Sequence, residues 1–206
     1  MNDISLKSDK GKYEIILRSL DKGVVIINII ERNHIGLVEE AIDIAKKYNP
    51  KKIYISSPFE LPDFKEYRKD LLYKLEYTLT KSYKEIKMHE ALIEDREDLI
   101  SLINYKMDIA SKMIDQADAL DLIKNYKCYF FTYKDKRVGC VVFDSSDILY
   151  FTCNNIFAYD MCLSKALYKN GCNTSIIISS LENTKINKFS DMGFVLDSVY
   201  RNYYEV

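Results

Sequence analysis

"ENTKINKFSDMGF" occupies Glu182–Phe194, and its reading decides the fold. It reads as a helical run, then Met192-Gly193-Phe194, then a strand-like tail. Glycine adopts the left-handed backbone that ends a helix at no steric cost. Gly193 is therefore a helix exit, and Phe194 the first residue of a core strand.

Working outward, "TSIIISS" (Thr174–Ser180) is a strand ahead of that helix. Before it, "NNIFAYDMCLSKALYKNG" gives a loop and a helix closed by Gly171. The segment 126–153 reads as three strands, with turns at Lys134-Asp135-Lys136 and Ser145-Ser146-Asp147. "MIDQADALDLIKN" predicts a helix over 113–125. "ALIEDREDLISLINYKM" predicts a short strand at Ala91–Ile93 and a helix from Asp95. Asp95 is the expected cap, and Asp98 puts negative charge in the first turn, where the helix dipole favours it. After Phe194, "FVLDSVYRNYYEV" reads as a final strand pair. Residues 90–206 thus run β-α-α-β-β-β-α-β-α-β.

The first half is shorter. Two β-branched runs flank Asp21-Lys22-Gly23 within Lys12–Glu31, which predicts a hairpin. Leu37, Val38, Ala41, Ile42, Ala45 and Tyr48 recur at the helical period, and Asn49-Pro50 stops that helix. "KKIYISS" is an apolar strand suited to a buried parallel neighbour. Phe64, Tyr67, Leu71 and Leu75 predict a second helix over 63–75, and 76–88 alternates like a strand or bent hairpin. Residues 12–88 thus run β-β-α-β-α-β. "IYISS" (Ile53–Ser57) and "IIISS" (Ile176–Ser180) mark an internal repeat of element order. The expected division is 1–88 and 89–206.

Bulk composition excludes several classes. The chain has 206 residues and net charge −1, so bulk charge gives no case for a nucleic-acid binder. No apolar run reaches the length of a membrane span, and the first residues are polar, which predicts a cytoplasmic protein. Five cysteines (128, 140, 153, 162 and 172) show no ligand spacing, and His34 and His89 stand alone, so no metal site is expected. Reduced thiols fit the same compartment. Cys153 precedes a helix start, which favours thiolate, but without a positioned histidine a thiol enzyme is a poor reading.

The element order of 90–206, with "DMGFVL", resembles the GNAT superfamily of acyl-CoA-dependent N-acyltransferases. Residues 12–88 resemble the second half of the same fold. The resemblance implies an α/β (α+β) fold: a GNAT-like mixed sheet flanked by helices, built as a half unit followed by a complete unit. It implies N-acetyltransferase activity with acetyl-CoA or another acyl-CoA as co-substrate. The acceptor would be a small-molecule or peptide amine. Other partners expected are a second copy in a homodimer, and neither nucleic acid nor membrane.

The resemblance also assigns residues. The family's pyrophosphate loop falls on "CNNIFA", Cys153–Ala158, running into Tyr159. Backbone N–H groups at a helix start hold phosphate there, with Asn154 or Asn155 as added donors. Cys153 stands where Gln or Arg is usual, and Ile156 stands where the first glycine is usual. Only Ala158 fits, and a β-branched Ile156 resists positive φ. Phe157 lies within the same loop. Leu149, Tyr150, Phe151 and Thr152 of the preceding strand would offer backbone to the pantetheine arm. The family's asparagine falls on Glu182, with Asn183 beside it. Its proton-donating tyrosine falls on Phe189, which has no proton to give. Glu182 acting through water, or Tyr203 (with Tyr200 and Tyr204) from the last strand, are the substitutes. "ERNHIG" (Glu31–Gly36) is a second, poorer phosphate loop, with Arg32 inside it. The opening stretch therefore argues for the family's fold and against its usual proton donor, which leaves a non-catalytic GNAT-like module as the rival function.

Overall fold

The structure is a computed structural model that describes residues 3–76, 83–105, 107–170 and 174–206. The chain forms two compact units: Met1–Asp70 with Met107–Met113 and Val199–Val206, and Leu71–Lys106 with Ile114–Ser198. This differs from a single cut after residue 88. Two long strands, β5 (Lys65–Leu75) and β11 (Phe194–Glu205), contribute one half to each unit.

The first unit contains β1 (Ile4–Ser8), β2 (Gly11–Ile16), β3 (Val24–Arg32), α1 (Leu37–Lys46) and β4 (Lys52–Ser57). Its strand order is β1-β2-β3-β4-β11-β5. The expected hairpin is present as antiparallel β2 and β3, and β3 lies parallel to β4, with Val24↔Lys52 through Asn28↔Ser56 in register. The apolar run Val24–Ile27 of β3 has a plain cause: both its faces are buried there. Val25, Ile27 and Ile29 pack with Leu37, Val38, Ala41 and Ala45 of α1. Val24 and Ile26 pack on the other side with Tyr54, Ala110 and Tyr203. On that side Arg68 is only 4% exposed. Its guanidinium lies 2.8 Å from Asp108 Oδ1 and 4.0 Å from the Tyr203 ring centroid.

The second unit contains β6 (Ile86–Glu90), α2 (Arg96–Asn104), α3 (Gln116–Asn125), β7 (Lys127–Tyr133), β8 (Lys136–Asp144), β9 (Asp147–Cys153), α4 (Tyr159–Asn170), β10 (Ser175–Ser179) and α5 (Asn183–Asp191). Its strand order is β11-β5-β10-β9-β8-β7-β6. β6 to β9 are antiparallel, and β10 returns parallel to β9. Phe131, Val141, Phe151, Ile176 and Ile178 pack with Cys162, Leu163, Ala166 and Leu167 of α4 and with Phe189 of α5. Gly193 leaves α5 at φ +94°, and Phe194 begins β11 buried in that core, as the opening stretch predicted.

Four expectations are corrected. Residues 65–75 are a strand, not a helix. Tyr67, Leu71, Tyr73 and Leu75 also alternate at period two, and the hydrogen bonds of Leu75 N–H to Thr174 O (2.9 Å) and Glu76 N–H to Gly193 O (3.1 Å) select that period. The opening strand of the second unit is Ile86–Glu90, and residues 93–95 form a single 3₁₀ turn. The last segment is one strand of 12 residues, which continues through Asp197-Ser198. Asp95 does not cap α2: its carboxylate accepts from Leu92 N–H at 2.9 Å and from Arg137. Part of the predicted 76–88 strand, the Gly171 helix stop and Cys172 lie outside the described residues.

Candidate functional site

β9 and β10 are parallel neighbours held in register at Ile148↔Ile176, near the start of both. Side chains pin that end, with Ser175 Oγ donating to Asp147 at 2.8 Å and Asn170 Nδ2 donating to Ser146 O at 2.7 Å. Beyond it β9 runs to Cys153 and β10 to Ser179 with no further register pair between them among the described residues. The far edge of β9 stays paired with β8 through Tyr150, Phe151, Thr152 and Cys153. The strands thus part at their carboxyl ends, where α4 and α5 begin. That end of an open α/β sheet is where ligands bind.

The expected loop residues gather here, but not in the family's arrangement. The Asn154 N–H bonds Val138 O at 2.8 Å and so remains in the sheet ladder. Asn155 Oδ1 accepts the N–H groups of Phe157 (3.0 Å) and Ala158 (3.2 Å). The chain's own side chain therefore occupies two of the amides that would meet a phosphate. The first-turn N–H groups of Tyr159, Asp160 and Met161 remain, since the first turn of a helix has no acceptors of its own. Ile156 (72% exposed) and Phe157 (83% exposed) project into solvent, while Ala158 is buried.

Tyr159 packs edge-on against Phe151, with centroids 5.3 Å apart, and Lys188 Nζ stands 5.2 Å from its ring centroid. Its hydroxyl is buried without a hydrogen-bond partner. Burial first, then the charges of Glu182, Cys153 and Asp160, push that phenol well above its ordinary range, so it stays protonated at neutral pH. Lys188 Nζ bonds Asp160 Oδ1 at 2.5 Å, which offsets the carboxylate at the start of α4. Cys153 Sγ lies 4.0 Å from Cys162 Sγ, and Thr152 Oγ1 lies 3.4 Å from Cys140 Sγ.

Phe189 is fully buried, edge-on to Phe151 and Phe194 at 5.8 and 5.0 Å. The position assigned to a proton donor is a core position here. Glu182 and Asn183 are exposed at the start of α5, and Glu182 Oε2 lies 3.6 Å from Lys185. Tyr203 belongs to the first unit, under Arg68. Sequence reasoning missed Cys162, Asp160 and Lys188, which no fixed spacing links to the loop.

The first unit closes its own equivalent. Arg201 donates to Ile29 O at 2.5 Å and to Ser56 Oγ at 2.8 Å, bridging the ends of β3 and β4. In "ERNHIG", His34 Nδ1 accepts the Gly36 N–H at 3.0 Å, and Arg32 lies over the Phe59 ring at 5.2 Å. Among the described residues no cluster of three or more His, Cys, Asp or Glu is placed to hold a metal, and no helix is long and apolar enough to cross a membrane.

Parallel strands that part between two helix starts, a glycine exit from the last helix and a closing strand define a GNAT fold. No protein-family model matches the chain, and no curated protein matches it in sequence. Solved structures do match. A GCN5-related N-acetyltransferase from Anabaena variabilis superposes with TM-score 0.62 at 7% identity over 98% of this chain and 57% of its own. One from Sphaerobacter thermophilus gives 0.59 at 6% identity, over 96% and 76%. A tandem GNAT protein from the clavulanic acid biosynthesis pathway gives 0.57 at 8% identity, over 99% and 82%. The chain has the GNAT fold.

Proposed function

We propose that the second unit is an acyl-CoA-dependent N-acyltransferase acting on a small-molecule or peptide amine. The observation that supports it best is the opening between β9 and β10, with the unpartnered Tyr159 hydroxyl beside it. A buried hydroxyl without a partner is costly by about 1–3 kcal/mol, and a polar group of a bound ligand satisfies it. The residues fit a pantetheine arm: Phe151 and Cys153, whose backbone groups face away from β8, supply donors and acceptors on the free edge. They fit the pyrophosphate with one change, since Asn155 must release Phe157 and Ala158 or the phosphates must rest on Tyr159, Asp160 and Met161. Acetyl-CoA or another acyl-CoA, when bound, supplies an acyl thioester open to attack by an amine. Tyr159 donates a hydrogen bond and keeps its proton, Lys188 pairs with the Asp160 carboxylate, and Glu182, exposed at the start of α5, is the proposed base acting through water.

The test is calorimetry with acetyl-CoA, followed by thiol release over a panel of amines, on wild type and Tyr159→Phe. Binding and turnover are expected, both weakened in Tyr159→Phe. No binding at millimolar acetyl-CoA by the folded protein refutes the proposal. One observation favours a second reading, a non-catalytic GNAT-like module: Phe189 is core and Asn155 already caps the loop. Binding without turnover of any amine selects that reading.

A further inference from the structure

We propose that Cys153 and Cys162 form a site of reversible oxidation, in which a peroxide closes them into a disulfide that staples the end of β9 to α4. The pair spans the loop 154–158 and the first three residues of α4. Their sulfurs stand 4.0 Å apart, about 2 Å beyond a disulfide bond length. Forming the bond requires side-chain rotation to close that gap. Cys153 is partly exposed and Cys162 is fully buried, so an oxidant meets Cys153 first.

The surroundings divide the roles. As a thiol Cys153 donates to Asn155 O at 3.3 Å and faces Cys162 Sγ at 4.0 Å; once Cys153 is thiolate the Cys162 S–H donates to it, which holds Cys153 below the ordinary thiol value and Cys162 above it. Burial opposes the shift at Cys153, Lys188 from α5 assists it and Asp160 from α4 opposes it. The other described thiols differ. Cys128 donates to Leu122 O, Cys140 pairs with Thr152 Oγ1, and burial pushes both up to about 12.

The chemistry balances with hydrogen peroxide as oxidant. The Cys153 thiolate attacks one peroxide oxygen, the O–O bond breaks, and hydroxide leaves to be protonated to water. Cys153 is then a sulfenic acid. The Cys162 sulfur attacks the Cys153 sulfur, an S–S bond forms, and the departing hydroxide takes the Cys162 proton. Two thiols lose two electrons and two protons, and one peroxide becomes two waters. A thiol reductant reverses the change.

The consequence for acyl-CoA rests on the proposed function, because the stapled loop carries the N–H groups assigned to phosphate. The disulfide does not rest on it. The experiment exposes the full chain to hydrogen peroxide, alkylates it with iodoacetamide and maps it by mass spectrometry before and after dithiothreitol. The expected result is a Cys153–Cys162 bridge, reversed by dithiothreitol, kept in Cys140→Ser and lost in Cys153→Ser. In Cys162→Ser, dimedone should trap a sulfenic acid at Cys153. Alkylation of both thiols in peroxide-treated wild type whose methionines are oxidised overturns the proposal. So does a bridge through Cys140 or Cys172. Calorimetry of the reduced and bridged forms with acetyl-CoA separates the two ideas: binding by neither form refutes the function and leaves the bridge standing.

Discussion

Asn155→Ala gives the sharpest test of where phosphate sits. Asn155 Oδ1 accepts two N–H groups, at 3.0 and 3.2 Å, in the geometry of a helix cap. Losing such a cap costs about 1 kcal/mol. If acyl-CoA takes the Phe157 and Ala158 N–H groups, the cap exists only in the unliganded protein. Its removal then destabilises the free state by about 1 kcal/mol and leaves the bound state unchanged. Affinity must rise by the same energy, about fivefold. Urea denaturation measures the first quantity and calorimetry with acetyl-CoA the second. Asn154→Ala is the control, because Asn154 contributes its backbone to the ladder, and both quantities should stay at wild type. A variant with lowered stability and unchanged or weakened affinity refutes the placement, and puts the phosphates on Tyr159, Asp160 and Met161 instead.

Three further outcomes are expected. Phe189→Tyr adds a hydroxyl inside a fully buried aromatic cluster; it should cost about 1–3 kcal/mol and lower Tm by roughly 2–12 °C, whereas an unchanged Tm with faster acyl transfer would show that the hydroxyl reaches the cleft. Arg68→Ala leaves Asp108 without its buried partner at 2.8 Å and should cost about 3–5 kcal/mol, with Arg68→Ala/Asp108→Asn costing less; a loss in urea midpoint worth under about 1 kcal/mol would refute the pairing. Asp95 is held below its ordinary 3.8, chiefly by the Leu92 N–H and also by Arg137, so it contributes stability above that pH and loses it as pH falls through the lower folded value; Asp95→Asn should therefore be less stable than wild type at pH 7, with the gap closing in acid.

What was legible in the sequence was what a local pattern can carry. Gly193 and Phe194 announced the helix exit and the closing strand because a positive φ and a buried ring leave their mark on single positions. The hairpin around Gly23, the helix from Leu37 and the three strands of 127–153 were legible for the same reason. The strand 65–75 was not, because Phe64, Tyr67, Leu71 and Leu75 satisfy the helical period while the odd positions satisfy the strand period. Only partners distant in sequence, Thr174 O and Gly193 O, decide between the two.

The site divides along the same line. Phe189 could be read as unable to donate a proton from its identity alone, and its burial adds that nothing is asked of it there. Asn155 could be read only as a possible donor to phosphate, and it is instead an acceptor turned inward on its own loop. A side chain's hydrogen-bond role depends on backbone that its identity does not specify, so the two asparagines of "CNNIFA" were interchangeable until the ladder claimed Asn154 and the turn claimed Asn155. Cys153 and Cys162 make the point most strongly. They lie nine positions apart, a spacing with no periodic meaning, and a turn at Ile156–Ala158 is what brings their sulfurs to 4.0 Å. The same turn positions Asn155 over its amides. One irregular loop thus sets both the proposed phosphate seat and the proposed oxidation site, and a change in either is felt by the other.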